Sequence, residues 1–126
     1  MDDFLQSEYK RAQALFSQGN YQDSKKIIIK LIESYPKVAD LFNFLGVLCT
    51  AEKNLVEGSK AFQYALKIRP YFPVANACYA QLLIDFRNLE DAKKYLKTAI
   101  DQEQQIPEFY INLGLLYIDC LLYTSP

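Results

Sequence analysis

Apolar residues recur along this chain at steps of three and four, the spacing of amphipathic helices and not of strands. Phe42, Leu45, Gly46 and Cys49 follow i, i+3, i+4, i+7 and share one helical face. Gly58, Phe62, Ala65, Leu66 and Arg69 carry a second such stretch. Turn punctuation ending in Asn separates paired runs, as Gly19-Asn20, Lys53-Asn54 and Arg87-Asn88. Pro73 and Pro107 stand where helices begin, because the N–H they lack would have no intrahelical acceptor there. Pro36 and Pro70 fall just past helix ends. The pattern predicts helices over 4–17, 21–34, 39–51, 55–68, 73–85, 89–102 and 107–119. Ile27-Ile28-Ile29 has β-propensity, but Ile28, Leu31 and Ile32 share one helical face.

The runs repeat. Leu45-Gly46 returns as Leu113-Gly114, 68 residues on, which is two steps of 34. Ala12, Gly46, Ala80 and Gly114 form one column of small residues at that period, and Ser24, Gly58 and Ala92 form another. Leu31, Ala65 and Ala99 make an apolar column, and Pro36 and Pro70 are also 34 apart, as are Pro73 and Pro107. A helical hairpin this short cannot bury its apolar face alone, so hairpins must stack into a shared core. Small residues let helices approach closely, so the first-helix column (Ala12, Gly46, Ala80, Gly114) is expected to meet the second-helix column. A glycine inside a helix costs about 1 kcal/mol relative to alanine, and close packing is what retains Gly46 and Gly114.

Composition narrows the chemistry. The chain has 126 residues, 51% of them hydrophobic, with only 4 Gly and 5 Pro, a usage that favours a helical domain with a real core. Lys and Arg number 14 against 15 Asp and Glu, so no basic footprint for nucleic acid or an anionic membrane is present. There is no histidine, the commonest general base and metal ligand near neutral pH. Cys49, Cys78 and Cys120 form no C-x-x-C pair, and reduced thiols in a cytoplasmic protein are expected. The acidic start Met1-Asp2-Asp3-Phe4 lacks the basic, then apolar, pattern of a signal peptide. No run approaches the ~20 apolar residues of a membrane span. Ser and Cys nucleophiles have no His partner, and the acids Glu90 and Asp91 open a helix, where they favour its dipole. No metal, cofactor or catalytic residue is expected.

Residues 120–126, Cys-Leu-Leu-Tyr-Thr-Ser-Pro, resemble a translated sequencing adapter: TGT CTC TTA TAC ACA TCT CC reads through them in frame. They are expected to be non-native, with the natural protein continuing beyond Asp119.

The repeat itself resembles a known family. Phe42, Leu45, Gly46, Gly58, Phe62, Ala65 and Pro70 are similar to the tetratricopeptide repeat pattern over a whole unit. Gly19-Asn20-Tyr21 with Ser24, Ile28, Leu31 and Pro36 resembles its second half, and Tyr110 to Gly114 with Tyr117 its first helix. The resemblance implies an all-α fold, a right-handed α-solenoid of antiparallel helix–turn–helix repeats. It frames an array over 1–119, with repeats at 5–38, 39–72 and 73–106 and the first helix of a fourth at 107–119. Structural positions in it are Ala12, Ser24, Leu45, Gly46, Gly58, Phe62 and Ala65, then Pro70, Ala80, Ala92, Ala99, Leu113 and Gly114. Repeat one departs with Glu8 and Arg11 where the family prefers an aromatic and Leu, which suits a terminal repeat with one face in water. Repeat three departs with Asn76, Tyr79 and Gln104.

The family also implies a function: a protein-protein interaction scaffold that takes a peptide or partner protein on a concave face lined by first helices. The implied peptide-binding positions are Tyr9, Gln13 and Phe16, then Asn43, Val47 and Thr50, then Ala77, Gln81 and Ile84. Gln6, Asp40, Val74, Glu108, Ile111, Leu115 and Ile118 complete the same face. Phe16, Val47 and Ile84 have a second reading, as residues that finish the core. The subtype that clamps the C-terminal carboxylate of chaperones with cations has Tyr9, Gln13, Phe44, Val74 and Cys78 here, so that specificity is not expected. The asparagine ladder of the O-GlcNAc transferase arm is met at Asn112 but not at Lys10, Phe44 or Cys78. An alternative role is the N-terminal repeat arm of a larger glycosyl-, sulfo- or methyltransferase. Self-association is expected through the C-terminal end, where Tyr110, Leu113, Leu116 and Tyr117 lack a covering helix.

Overall fold

A computed structural model describes residues 2–103 and 105. They form α1 (Asp3–Ser17), α2 (Tyr21–Ser34), α3 (Ala39–Ala51), α4 (Leu55–Ile68), α5 (Pro73–Asp85) and α6 (Leu89–Gln102), with no strand among the described residues. Five helices keep the boundaries the periodicity predicts, including α2 across the three isoleucines. The sixth, α1, begins one residue earlier than expected. Its start is fixed by Asp2, whose carboxylate accepts the Leu5 N–H at 2.8 Å and caps the helix. The expected helix at 107–119, with Leu113 and Gly114, and the 120–126 tail lie outside the described residues.

The chain divides into two compact units, Met1–Arg69 and Pro70–Pro126. In the first, α1 pairs with α2, α3 pairs with α4, and α2 packs on α3. Leu5, Ala12, Ile28, Leu31, Leu41 and Leu48 form its buried cluster. The two small-residue columns meet as expected in the first hairpin, whereas the neighbour of Gly46 is a ring and not a small residue. Ser24 is fully buried, and its hydroxyl donates to the Ala12 carbonyl at 2.7 Å, which draws α2 onto the backbone of α1. At Gly46, a Cβ would lie 2.6–2.8 Å from the Phe62 ring, so the ring of α4 occupies the space a side chain would need. Lys25 pairs with Glu52 at 3.5 Å, and Gln22 donates to the same carboxylate, joining α2 to the end of α3.

The second unit holds the hairpin of α5 and α6, closed around Tyr79, Ala80, Leu83, Ala92, Leu96 and Ala99. Tyr79 meets the Tyr95 ring edge-on at 4.7 Å. Asn76, an unfamiliar residue for its column, is buried as half of a polar pair: its Nδ2 donates to Gln102 Oε1 at 2.8 Å and to the Phe72 carbonyl at 3.3 Å. Gln102 in turn donates to the Pro70 carbonyl at 3.0 Å and accepts the Tyr71 hydroxyl on its own carbonyl.

The three hairpin turns share one geometry. Gly19 (φ 80°), Lys53 (φ 65°) and Arg87 (φ 63°), each 34 residues apart, are left-handed. Their N–H groups donate to the carbonyls of Phe16, Thr50 and Ile84 at 2.9, 3.0 and 2.9 Å. The next residues, Asn20, Asn54 and Asn88, donate to Leu15, Cys49 and Leu83 at 2.9, 2.8 and 2.9 Å, completing a helix-terminating Schellman motif. The same Asn then starts the following helix. Oδ1 of Asn20 and of Asn88 accepts the N–H of Asp23 and of Asp91 at 3.4 Å, while Nδ2 holds the Asp carboxylate at 2.9 Å.

Candidate functional site

A row of half-buried rings joins α1 to α3. Tyr9 meets the Phe44 ring edge-on at 5.6 Å, and Phe16, seven residues further along α1, meets the same ring at 5.6 Å. Phe16 also leans on Tyr21 at 5.2 Å. Tyr9, Phe16 and Phe44 are all half-buried and packed on the core cluster. Phe16 therefore serves the core while keeping part of its surface in water. Gln6 and Gln13, one helical turn from Tyr9 on either side, are exposed.

On α3, Asp40 is held by Arg69, whose guanidinium nitrogens lie 2.9 and 3.5 Å from the two carboxylate oxygens. Burial and the nearby Asp40 carboxylate push the Tyr9 hydroxyl above its ordinary value of 10.0, with Arg69 acting in the opposite sense. Tyr9 is thus a neutral hydroxyl at any physiological pH. Val47 and Thr50 are half-buried, and the Thr50 hydroxyl donates to the Gly46 carbonyl at 2.8 Å. Asn43 is only 9% exposed, and its Oδ1 is buried without a hydrogen-bond partner among the described residues. An orphaned acceptor of this kind costs about 1–3 kcal/mol.

Within the second unit, α5 carries Gln81 and Val74 exposed and Ala77 and Ile84 half-buried. Glu108, Ile111, Leu115 and Ile118 lie outside the described residues. Tyr9, Gln13, Phe44, Val74 and Cys78 supply no cation to an anionic ligand. Pro70, grouped with the structural positions, is exposed, and Leu45 is half-buried; the other described members of that group are buried. Cys49 is buried and Cys78 half-buried, and both are free thiols. Burial raises Cys78 to about 11 and also raises Cys49. Among the described residues, no three His, Cys, Asp or Glu side chains converge as a metal site, and no helix is long and apolar enough to cross a membrane.

Antiparallel hairpins with a common turn and small-residue contacts define a helix–turn–helix repeat protein of the α-solenoid class. Two family models for the tetratricopeptide repeat match, one over residues 9–73 and one over residues 50–121. The chain belongs to the tetratricopeptide repeat family. No curated protein is significantly similar in sequence. Among solved structures, the first such domain of Spaghetti (RPAP3), bound to the HSP90 peptide SRMEEVD, superimposes with a TM-score of 0.86 at 16% identity, covering 92% of each chain. The first domain of human RPAP3 gives 0.87 at 15% identity, over 96% of this chain and 97% of that one. The Sgt2 domain from Aspergillus fumigatus gives 0.88 at 11% identity, over 94% of this chain and 80% of that one. At such identities the likeness is one of fold.

Proposed function

We propose that the protein is a non-catalytic interaction scaffold that binds a peptide or partner protein on the face formed by α1 and α3. The repeat frame of 5–38, 39–72 and 73–106 is part of this reading. The aromatic row of Tyr9, Phe44 and Phe16 supports it: three rings held by the core, with exposed Gln6 and Gln13 beside them. Packed rings offer apolar area at little entropic cost, and amide side chains can hydrogen-bond a peptide backbone in either direction. Val47 and Thr50 extend the same face along α3. Ala77, Gln81 and Ile84 are the counterpart positions on α5.

The ligand's chemistry follows from the charges. One structural neighbour holds a peptide with consecutive glutamates and a terminal aspartate. On α1 and α3, the positions at which the family resemblance would put a carboxylate clamp, Tyr9, Gln13 and Phe44, carry rings and an amide. An apolar or amide-rich segment suits them, because carboxylates buried on this face would be left without a cation. The test is a selection of peptides from a phage-displayed random library against the full chain, repeated with Gln13→Arg and Thr50→Arg. The selected peptides should be poor in acidic residues, and each substitution should weaken them about tenfold or more without lowering the melting temperature. Peptides that bind both variants as well as the parent would show that this face is not the site.

A further inference from the structure

Glu8 and Arg11 depart from the repeat pattern, and the structure shows what they line. They border a cleft of about 330 Å³ between α1 and α2, away from the aromatic row. This lies at the small end of the ~300–1,000 Å³ range of ligand clefts. Phe4, Ile27 and Leu31 give it an apolar lining, and Phe4 stands at its mouth 61% exposed. On α2 the lining forms two parallel ridges. Ile27 and Leu31 make an apolar one, and Lys26, Lys30 and Ser34 make a polar one beside it, each at i, i+4 spacing. Arg11 is engaged by Glu8 at 3.2 Å, whereas Lys26 and Lys30 are exposed and have no ion-pair partner among the described residues.

We infer that the α1–α2 cleft is a second docking surface, built for an acidic amphipathic helix of a partner protein. Such a helix would set one apolar side chain among Phe4, Ile27 and Leu31. Its carboxylates, one turn apart, would meet Lys26 and Lys30. Helix ridges at i, i+4 intervals fit grooves of the same interval, so a helical partner matches both rows at once. Charge complementarity selects an acidic partner. A lipid surface is a poorer match, because the apolar groups line a concavity and do not project as a convex face.

The test uses the full chain, ¹⁵N-labelled, titrated with a synthetic helix of about 18 residues of Leu, Ala and Glu, long enough to be helical in water. The helix carries a Leu ridge beside a Glu ridge. Saturable shifts should fall on amides of residues 4–11 and 26–34. Lys26→Glu with Lys30→Glu, both exposed, should weaken binding roughly tenfold, the effect of turning two surface ion pairs into repulsions. A peptide with Lys in place of Glu should regain affinity for that variant, and Gln13→Arg should leave this site unchanged. Shifts that do not saturate, affinity indifferent to the charge swap, or binding to phosphatidylserine vesicles without binding to the peptide would each overturn the proposal.

Discussion

Gly46 is the residue where sequence and packing agree most closely. Its column is small in every repeat, and an added Cβ would sit 2.6–2.8 Å from the ring of Phe62, itself almost wholly buried. Gly46→Ala gains about 1 kcal/mol in helix propensity but forces that ring to move, so a net loss of about 1–2 kcal/mol is expected. Gly46→Leu should lose more. Urea denaturation measures both, and a double-mutant cycle with Phe62→Leu should show coupling if the ring is the obstacle. The left-handed turn residues were less legible. Gly19 advertises a positive φ, but Lys53 and Arg87 do not, although they occupy the same column. Lys53→Gly and Arg87→Gly should each stabilise by about 0.5 kcal/mol, the relief of αL strain less the added chain entropy, and Gly19→Ala should cost about 1 kcal/mol. Denaturation midpoints unchanged in all three would contradict the assigned turns. Nor did any sequence pattern reveal that Asn43, a peptide-binding position only by family resemblance, would be buried with Oδ1 lacking a partner among the described residues. Its burial depends on which residues from neighbouring helices cover it, and register alone carries no such information. For Cys78, raised to about 11, roughly one thiol in ten thousand is ionised at pH 7, so native-state iodoacetamide labelling should be far slower than that of a free thiol.

Among the elements, α1 has a pH-sensitive anchorage. Asp2 caps it and also accepts the Tyr35 hydroxyl at 2.8 Å, so the start of α1 is tied to the end of α2. The Leu5 N–H, then the Tyr35 hydroxyl, hold the Asp2 carboxyl below its ordinary 3.8. The same bond to Asp2 holds Tyr35 above its ordinary 10.0. A lowered carboxylate contributes stability that is present above 3.8 and lost as pH falls through the folded value. A raised phenol contributes stability that is present below 10.0 and lost as pH rises through the folded value. Asp2→Asn should therefore flatten the acid limb of the urea midpoint against pH, and Tyr35→Phe the alkaline limb. Identical limbs in parent and variants would contradict the link. Helix positions were legible because apolar periodicity, Asn punctuation and Pro placement all mark the same ends. The one shifted boundary, at Asp3, was set by an Asp cap. Contacts such as Asn76 with Gln102 or Arg69 with Asp40 were not legible, since they join residues 26 and 29 positions apart that no single helix pattern pairs.

For the whole molecule, a period of 34 residues repeats a hairpin and a turn, the marks of the family its sequence matches. The period could be read from the sequence because each repeat must solve the same packing problem. What binds could not, because a binding face is conditioned by its ligand and its positions vary freely from repeat to repeat. In the proposed function, α1 and α3 hold the ligand. The most direct measurement is ¹⁵N NMR of the full chain titrated with a library-selected peptide. Amides of Gln13, Val47 and Thr50 should shift together and saturate at one affinity. Saturable shifts confined to α2 and α4, with α1 and α3 amides unmoved outside the α1–α2 cleft, would contradict it.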